Sequence, residues 1–302
     1  MGQVKKNSDF WYHVAAFAMI LVWGISFLNT RVLLDAGLTP TEIFVARFTI
    51  AYLSLLAISR FKVRYTGLRD ELLFVVCGIA GGSAYFIAEN TALELTLISD
   101  VAVLVSIAPL TTALMGAIFY RDERITLLTC VGMVIAFVGS VMLALKDGFV
   151  WGDSILGDLL AMLAAFVWAF YSMALKKLNR TYTTLFITRK LFFYGVLSAL
   201  PLLALEDHHV DWLLLKQPAV WGNLLYLGLI CSMAAYFIWG ITVKRIGAVR
   251  ASNYFYLSPI ISMIAAAIWF GERTNVVAYI GCVLILAGVI MAEKFKRTTA
   301  NS

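Results

Sequence analysis

The sequence is poor in the residues that enzymes and metal sites most often need. Its three histidines are His13, His208 and His209, and its four cysteines stand singly in apolar runs without a CxxC pair. Covalent catalysis needs a nucleophile beside a base, and a metal site needs clustered ligands. We therefore expect no metal, no cofactor and no enzymatic activity.

Charged residues are also scarce, at 14% of the 302 residues, whereas a soluble domain carries roughly a quarter. Hydrophobic residues make up 62% of the chain, and the mean hydropathy is +0.87. This composition cannot supply a water-facing surface, so it predicts an all-α integral membrane protein. One crossing takes about 20 apolar residues, which leaves room for roughly ten crossings and no sizeable soluble domain.

Charged turns and Gly or Pro residues divide the chain into ten predicted transmembrane helices. The helices are predicted over residues 11–34, 40–60, 70–94, 98–119, 124–145, 156–176, 183–205, 218–244, 250–270 and 275–294. The connecting segments are short, so neighbouring helices run in opposite directions across the membrane.

Basic residues are distributed unevenly between the two sets of connecting segments. With the N-terminus inside, seventeen of the 24 Lys and Arg residues fall in inside segments and four in outside loops. The positive-inside rule then places both termini in the cytoplasm and the protein in the cytoplasmic (inner) membrane. The net charge of +6 follows from this bias, so we expect a lipid bilayer and no nucleic acid as partner.

The two halves of the chain repeat the same motifs in the same order. Residues 22–24 match 167–169, residues 41–47 match 183–189, and residues 84–87 match 235–238. Five helices in each half is an odd number, so the second half enters the membrane from the opposite side. This predicts two inverted repeats, 1–147 and 148–302, around a substrate site near the midplane.

The chain resembles the EamA family of the drug/metabolite transporter superfamily. The resemblance is carried by residues 23–27, Arg47-Phe48, 108–110 with Glu123-Arg124, and 258–260 with 271–273. It implies a ten-helix secondary transporter that works by alternating access and moves amino acids, metabolites or drugs, mostly outward. The alternatives are an integral-membrane enzyme, which would form a product, and a channel, which would show neither saturation nor counterflow.

Two pairs of aromatic residues occupy matching positions in the two halves. Trp23 and Trp168 lie deep in their helices, roughly 18 Å down for Trp23 by helix rise, below the interfacial aromatic belt. Tyr85 and Tyr236 form the second pair. All four can line a central substrate cavity with a π face and one polar edge each. The alternative for each residue is ordinary helix packing.

Charged residues inside membrane helices are costly, so each one is a candidate functional residue. Arg47 and Glu89 form a structural ion pair, or Arg47 extends to the outer surface, or the two make an outer gate or proton-coupling site. Arg189 is the counterpart of Arg47. It either extends to the inner surface, as Lys190 does, or binds an anionic group of the substrate such as a carboxylate.

Pro109 and Pro259 interrupt the fourth and ninth predicted helices, because each removes one backbone hydrogen bond. The resulting bends are either static or hinges for gating. Asn253 and Tyr256 lie three residues apart on the turn before Pro259 and therefore on one helix face. We expect them to contribute to substrate specificity.

Glycines recur at a seven-residue spacing in the fifth and tenth predicted helices, as Gly132, Gly139, Gly281 and Gly288. Small residues let helices approach closely. These glycines therefore indicate a packing face, either within the chain or between the two copies of a homodimer.

Reporter fusions test the predicted topology directly. Fusions after residues 65 and 297 should report the cytoplasm, and a fusion after residue 148 should report the outside, because five crossings separate 148 from the N-terminus. A cytoplasmic signal at 148 would contradict the inverted repeats.

Overall fold

The computed structural model describes residues 2–59, 65–120, 126–144, 154–206, 214–270 and 275–294. Within these ranges the chain is helical and contains no β-strand. The α-helices are α1 Gly2–Asp35, α2 Pro40–Ile58, α3 Leu68–Gly78, α4 Ala84–Leu95, α5 Ile98–Val105, α6 Ala108–Phe119, α7 Leu127–Ala144, α8 Ile155–Leu178, α9 Thr184–Leu205, α10 Pro218–Leu225, α11 Ala235–Ile246, α12 Ala248–Ser252, α13 Ser258–Phe270 and α14 Val276–Lys294. The charged turns at 121–124 and 271–273, with His208 and His209, lie outside the described residues.

Seven stretches of the described chain are long and apolar enough to cross a membrane. They are Phe10–Asp35, Pro40–Ile58, Leu68–Leu95, Asp100–Phe119, Ile155–Leu178, Thr184–Leu205 and Pro218–Ile246. Two further apolar helices, Leu127–Leu143 and Val276–Ala292, are shorter. The stretch from α12 to α13 is also apolar, but a 3₁₀ segment divides it. The count of ten crossings therefore stays a prediction.

Large apolar side chains cover much of the molecular surface. Leu127 is 80% exposed, Ile268 71% and Ile118 65%, and similar residues continue along most helices. Soluble monomers rarely expose apolar patches of this extent, and such patches mark surfaces that meet a membrane or another protein. Exposed apolar residues lie on the seven candidate spans, as Ile118 does, and also on the shorter apolar helices, as Leu127 does, so this surface fits contact with lipid acyl chains.

Both predicted proline interruptions are present. The helix that begins at Ile98 stops at Val105 and resumes as α6 at Ala108, with Pro109 in its first turn. In the second half, a 3₁₀ segment, Asn253–Leu257, separates α12 from α13, and Pro259 lies in the first turn of α13. A proline is tolerated in a first turn because its missing N–H would have no intrahelical partner there.

Two π-helical segments occur directly before the matched motifs of the two halves. Ile79–Ser83 joins α3 to α4, and Tyr226–Ala234 joins α10 to α11. Both precede an Ala-Tyr-Phe-Ile sequence. Such π-helical insertions are rare and frequently mark functional sites.

The predicted glycine faces of α7 and α14 pack against each other within the chain. A Cβ added at Gly139 would lie 2.6 Å from the carbonyl oxygen of Gly281, and one at Gly288 would lie 2.5 Å from that of Gly132. These positions therefore require glycine for close helix contact. Because the faces are occupied, they do not form a dimer contact, and a homodimer remains a prediction without their support.

Candidate functional site

Trp23 lies in an aromatic cluster that joins the two halves of the chain. Its ring centroid is 5.6 Å from that of Trp168 and 5.8 Å from that of Tyr236. The indole Nε1 of Trp23 donates a 2.8 Å hydrogen bond to the carbonyl oxygen of Cys231, in the second π segment. The ring is thus held in place by the opposite half as well as by its own helix.

The two predicted tyrosines complete this cluster. The ring of Tyr85 is 5.0 Å from Trp168, and its Oη donates a 2.5 Å hydrogen bond to Oε1 of Glu89, one turn along α4. The Oη of Tyr236 donates a 2.7 Å hydrogen bond to the carbonyl oxygen of Gly81, in the first π segment. Below, the aromatic cage denotes the rings of Trp23, Tyr85, Trp168 and Tyr236.

The aromatic cage lines one buried cavity. Other residues in its wall are Ser26, Phe86, Glu89, Phe255 and Ser258. The free volume of the cavity is about 20 Å³, which is room for about one water. The four aromatic residues predicted from matching positions therefore share one site, but the site is narrow in this conformation.

The indole N–H of Trp168 is the least satisfied polar group of the cage. Trp168 is 1% exposed, and its Nε1 has no hydrogen-bond partner among the described residues. Burying an N–H without a partner costs roughly 1–3 kcal/mol. A ligand whose acceptor oxygen reached this N–H would remove this cost.

Arg47 and Glu89 are both buried, and of the alternatives for them the direct ion pair is not formed in this conformation of the described chain. The Glu89 carboxylate accepts from Tyr85, which the i, i+4 spacing on α4 favours. The Arg47 guanidinium donates from Nε to Ser232 Oγ at 3.0 Å and lies 4.2 Å from the Phe86 ring centroid. Its Nη2 has no hydrogen-bond partner among the described residues.

Arg189 lines a different cavity from the aromatic cage, and its role in binding an anionic group of the substrate stays a prediction. Its Nη1 donates a 2.8 Å hydrogen bond to Ser59 Oγ, and it lines a second cavity with Glu71 and Lys190, between α2, α3 and α9. Lys190 was predicted to extend to the inner surface. In the structure it does not, because Glu71 binds it in a buried ion pair.

Asn253 and Tyr256 are buried and are not in the wall of the central cavity in this conformation, and their role in specificity stays a prediction. The segment is a 3₁₀ helix with three residues per turn, so residues three apart share a face. Phe255 and Ser258 form the face that lines the cavity, and Asn253 and Tyr256 lie on another.

Two further aromatic residues contact the cage and were not predicted from the sequence. Phe255 packs 5.1 Å from Trp168 and 5.7 Å from Trp23. A signal for it existed, because Phe255 and Val105 each lie four residues before their matching prolines, and both line the cavity. Trp239 is 5.2 Å from Trp23, but its matching position in the first half is an alanine, so symmetry gave no signal.

Comparison with known proteins identifies the family. The model of the EamA-like transporter family matches residues 10–145 and 155–293. The chain belongs to this family. The resemblance inferred from the sequence is thereby confirmed, and this EamA-family chain is a multi-pass membrane protein and a secondary transporter.

Two curated relatives span nearly the whole chain. A probable terminal-alkyne amino-acid exporter of Streptantibioticus cattleyicolor is 29% identical, over 96% of this chain and 95% of the relative. A probable amino-acid metabolite efflux pump of Salmonella typhimurium is 25% identical, over 95% of this chain and 97% of the relative. A solved structure with 22% identity has a TM-score of 0.74 over 94% of this chain and 98% of the other, which shows a shared fold.

Substitution of the cage tryptophans tests their role. Trp23→Ala and Trp168→Ala should each reduce transport severely while the protein still inserts, because each removes a wall of the cavity. Trp221→Ala, at a tryptophan that is 45% exposed, is the matched control and should transport normally. Transport rate per inserted molecule is the measurement, and full activity in both cage variants would assign these residues to packing alone.

Proposed function

We propose that this EamA-family transporter exports a small metabolite, an amino acid or a related organic compound, across the cytoplasmic membrane by alternating access. The observation that carries the proposal is the aromatic cage, because Trp23 and Tyr85 come from the first half and Trp168 and Tyr236 from the second. A site shared by two halves changes its access when the halves move. The names of the two relatives, both amino-acid exporters or efflux pumps, support the substrate class.

The proposed architecture is ten transmembrane helices in two inverted repeats, 1–147 and 148–302, with both termini in the cytoplasm. Its support is the repetition of structural breaks at matching positions. Each half has a π segment before the Ala-Tyr-Phe-Ile motif and a helix that resumes at Pro109 or Pro259. The two separate family matches agree with this division.

The groups in the cavity suit a zwitterionic amino compound. An ammonium group is attracted to aromatic faces and to the Glu89 carboxylate. A carboxylate can accept from Nε1 of Trp168, which lacks another partner among the described residues. The wall around these groups is aromatic and aliphatic, which favours an apolar substrate side chain. Because the cavity has room for about one water, substrate binding requires the helices around it to separate.

Arg47 and Glu89 form the proposed gating pair, with exchange of partners as the switch. Glu89 bonds to Tyr85 and Arg47 to Ser232 in this conformation. The remaining donor at Arg47 Nη2 provides a contact that Glu89 or a substrate carboxylate can take when the halves move. The helix breaks at Pro109 and Pro259 supply hinges, since a broken helix bends at lower cost than a continuous one.

Counterflow in proteoliposomes tests the proposed function. Purified protein is reconstituted into vesicles that are preloaded with a mixture of the unlabelled common amino acids, and uptake of each labelled amino acid is followed. We expect transient, saturable accumulation of at least one of them, which empty vesicles do not show. Non-saturating flux without counterflow would indicate a channel, and chemical conversion of the added compound would indicate an enzyme.

The same assay tests the gating pair. Glu89→Gln and Arg47→Gln should each reduce counterflow strongly, and their effects should be coupled, so the double variant loses less than the sum of the two single losses. Arg31→Gln removes an arginine that pairs with Asp35 on the surface, and it is the control. Fully additive losses would mean that Arg47 and Glu89 do not exchange partners.

A further inference from the structure

The second cavity, between the ends of α2, α3 and α9, carries one uncompensated positive charge. Lys190 and Glu71 neutralise each other in a buried ion pair, and Tyr194 and Thr66 also donate to Glu71. Arg189 is 4% exposed and forms no ion pair with a carboxylate in the described chain. Arg189 is therefore a buried cation in the wall of this cavity.

This cavity is the roomier of the two described above. Its free volume is about 180 Å³, compared with about 20 Å³ for the cavity of the aromatic cage. Tyr52 and Tyr65 place aromatic rings at its wall beside Arg189. Tyrosine and arginine at helix ends are typical of the interface between the acyl chains and the headgroups of a bilayer.

Two rows of exposed apolar residues begin beside this cavity and run away from it in the same direction. The row on α9 consists of Phe193, Leu197 and Leu200, which are 43%, 50% and 44% exposed. The row on α3 consists of Leu72 and Val76, at 57% and 45%, and continues to Ile79, at 39%, in the π segment that follows. Since α3 and α9 both begin at the cavity end, a ligand with an anionic head here can lay apolar tails along both helices.

The sequence between α2 and α3 is rich in basic residues. The segment that connects α2 to α3, together with the start of α3, carries Arg60, Lys62, Arg64 and Arg69. Basic residues that adjoin a membrane helix attract anionic lipid headgroups. The charge of the sequence and the buried Arg189 therefore favour the same class of ligand.

We propose that this cavity binds the phosphate headgroup of an anionic phospholipid, with Arg189 as its charged ligand and the rows on α3 and α9 as the seat of its acyl chains. Arginine suits this role because its planar guanidinium can donate two parallel hydrogen bonds to one phosphate. A free anion would use the charge but not the apolar rows. The site is separate from the aromatic cage and does not depend on the transported substrate.

Native mass spectrometry of the full-length purified protein tests the proposal, with phosphatidylglycerol and zwitterionic phosphatidylcholine as probes. Wild type should retain one phosphatidylglycerol molecule in preference to phosphatidylcholine. Arg189→Gln should weaken that binding by about tenfold, the size expected for one charge-assisted hydrogen bond. Arg31→Gln, at an arginine that bonds to the Leu93 carbonyl at the far end of α4, should leave it unchanged.

Three results would overturn the lipid site. The first is equal retention of both lipids by wild type, a comparison that requires no variant to fold. The second is unchanged phosphatidylglycerol binding in Arg189→Gln. The third is release of the lipid by millimolar inorganic phosphate, which would assign the cavity to a free anion. If the glutamine variant is not obtained as folded protein, Arg189→Lys keeps the charge and should keep the lipid preference.

Discussion

Two hydrogen bonds between the halves hold the central site in place. The indole of Trp23 donates to the backbone of the second π segment, at Cys231, and the hydroxyl of Tyr236 donates to the first, at Gly81. In a bilayer, a buried polar group without a partner has no water to replace it. Each ring is therefore oriented by the opposite half. When the halves move relative to each other, these hydrogen bonds either break or move the rings with the opposite half.

The buried charges are divided between two places with different surroundings. Near the aromatic cage, Arg47 and Glu89 each bond to a neutral partner and leave one guanidinium nitrogen without a hydrogen-bond partner in the described chain. At the ends of α3 and α9, Lys190 and Glu71 pair fully and Arg189 is left over. Charge inside a membrane protein is retained where it has a use. The charges near the aromatic cage can therefore exchange partners during gating, and the charge at the second cavity can bind an external anion.

The sequence supported the family, the helical class and the four cage residues, because matching positions in two halves converge on one site. It did not support predictions that depend on side-chain direction. Arg189 has the same helix position as Arg47, but Arg47 bonds to Ser232 of the other half whereas Arg189 lines the second cavity. Asn253 and Tyr256 share one face of their segment, but the face that lines the cavity is that of Phe255 and Ser258, and a spacing of three residues does not tell which face is turned inward. Arg47 and Glu89 do not form an ion pair in this conformation, because Tyr85, one turn away on α4, donates to the Glu89 carboxylate.

Access to the aromatic cage is the most direct test of the central claim. A single cysteine at Ser26, a cavity residue, is placed in a variant without the native cysteines, and its reaction with a membrane-impermeant thiol reagent is measured from each side. The account predicts reaction from both sides, with transported substrate raising the rate from one side while it lowers the rate from the other. Rates that substrate leaves unchanged, or that it lowers equally on both sides, would contradict alternating access to this cavity.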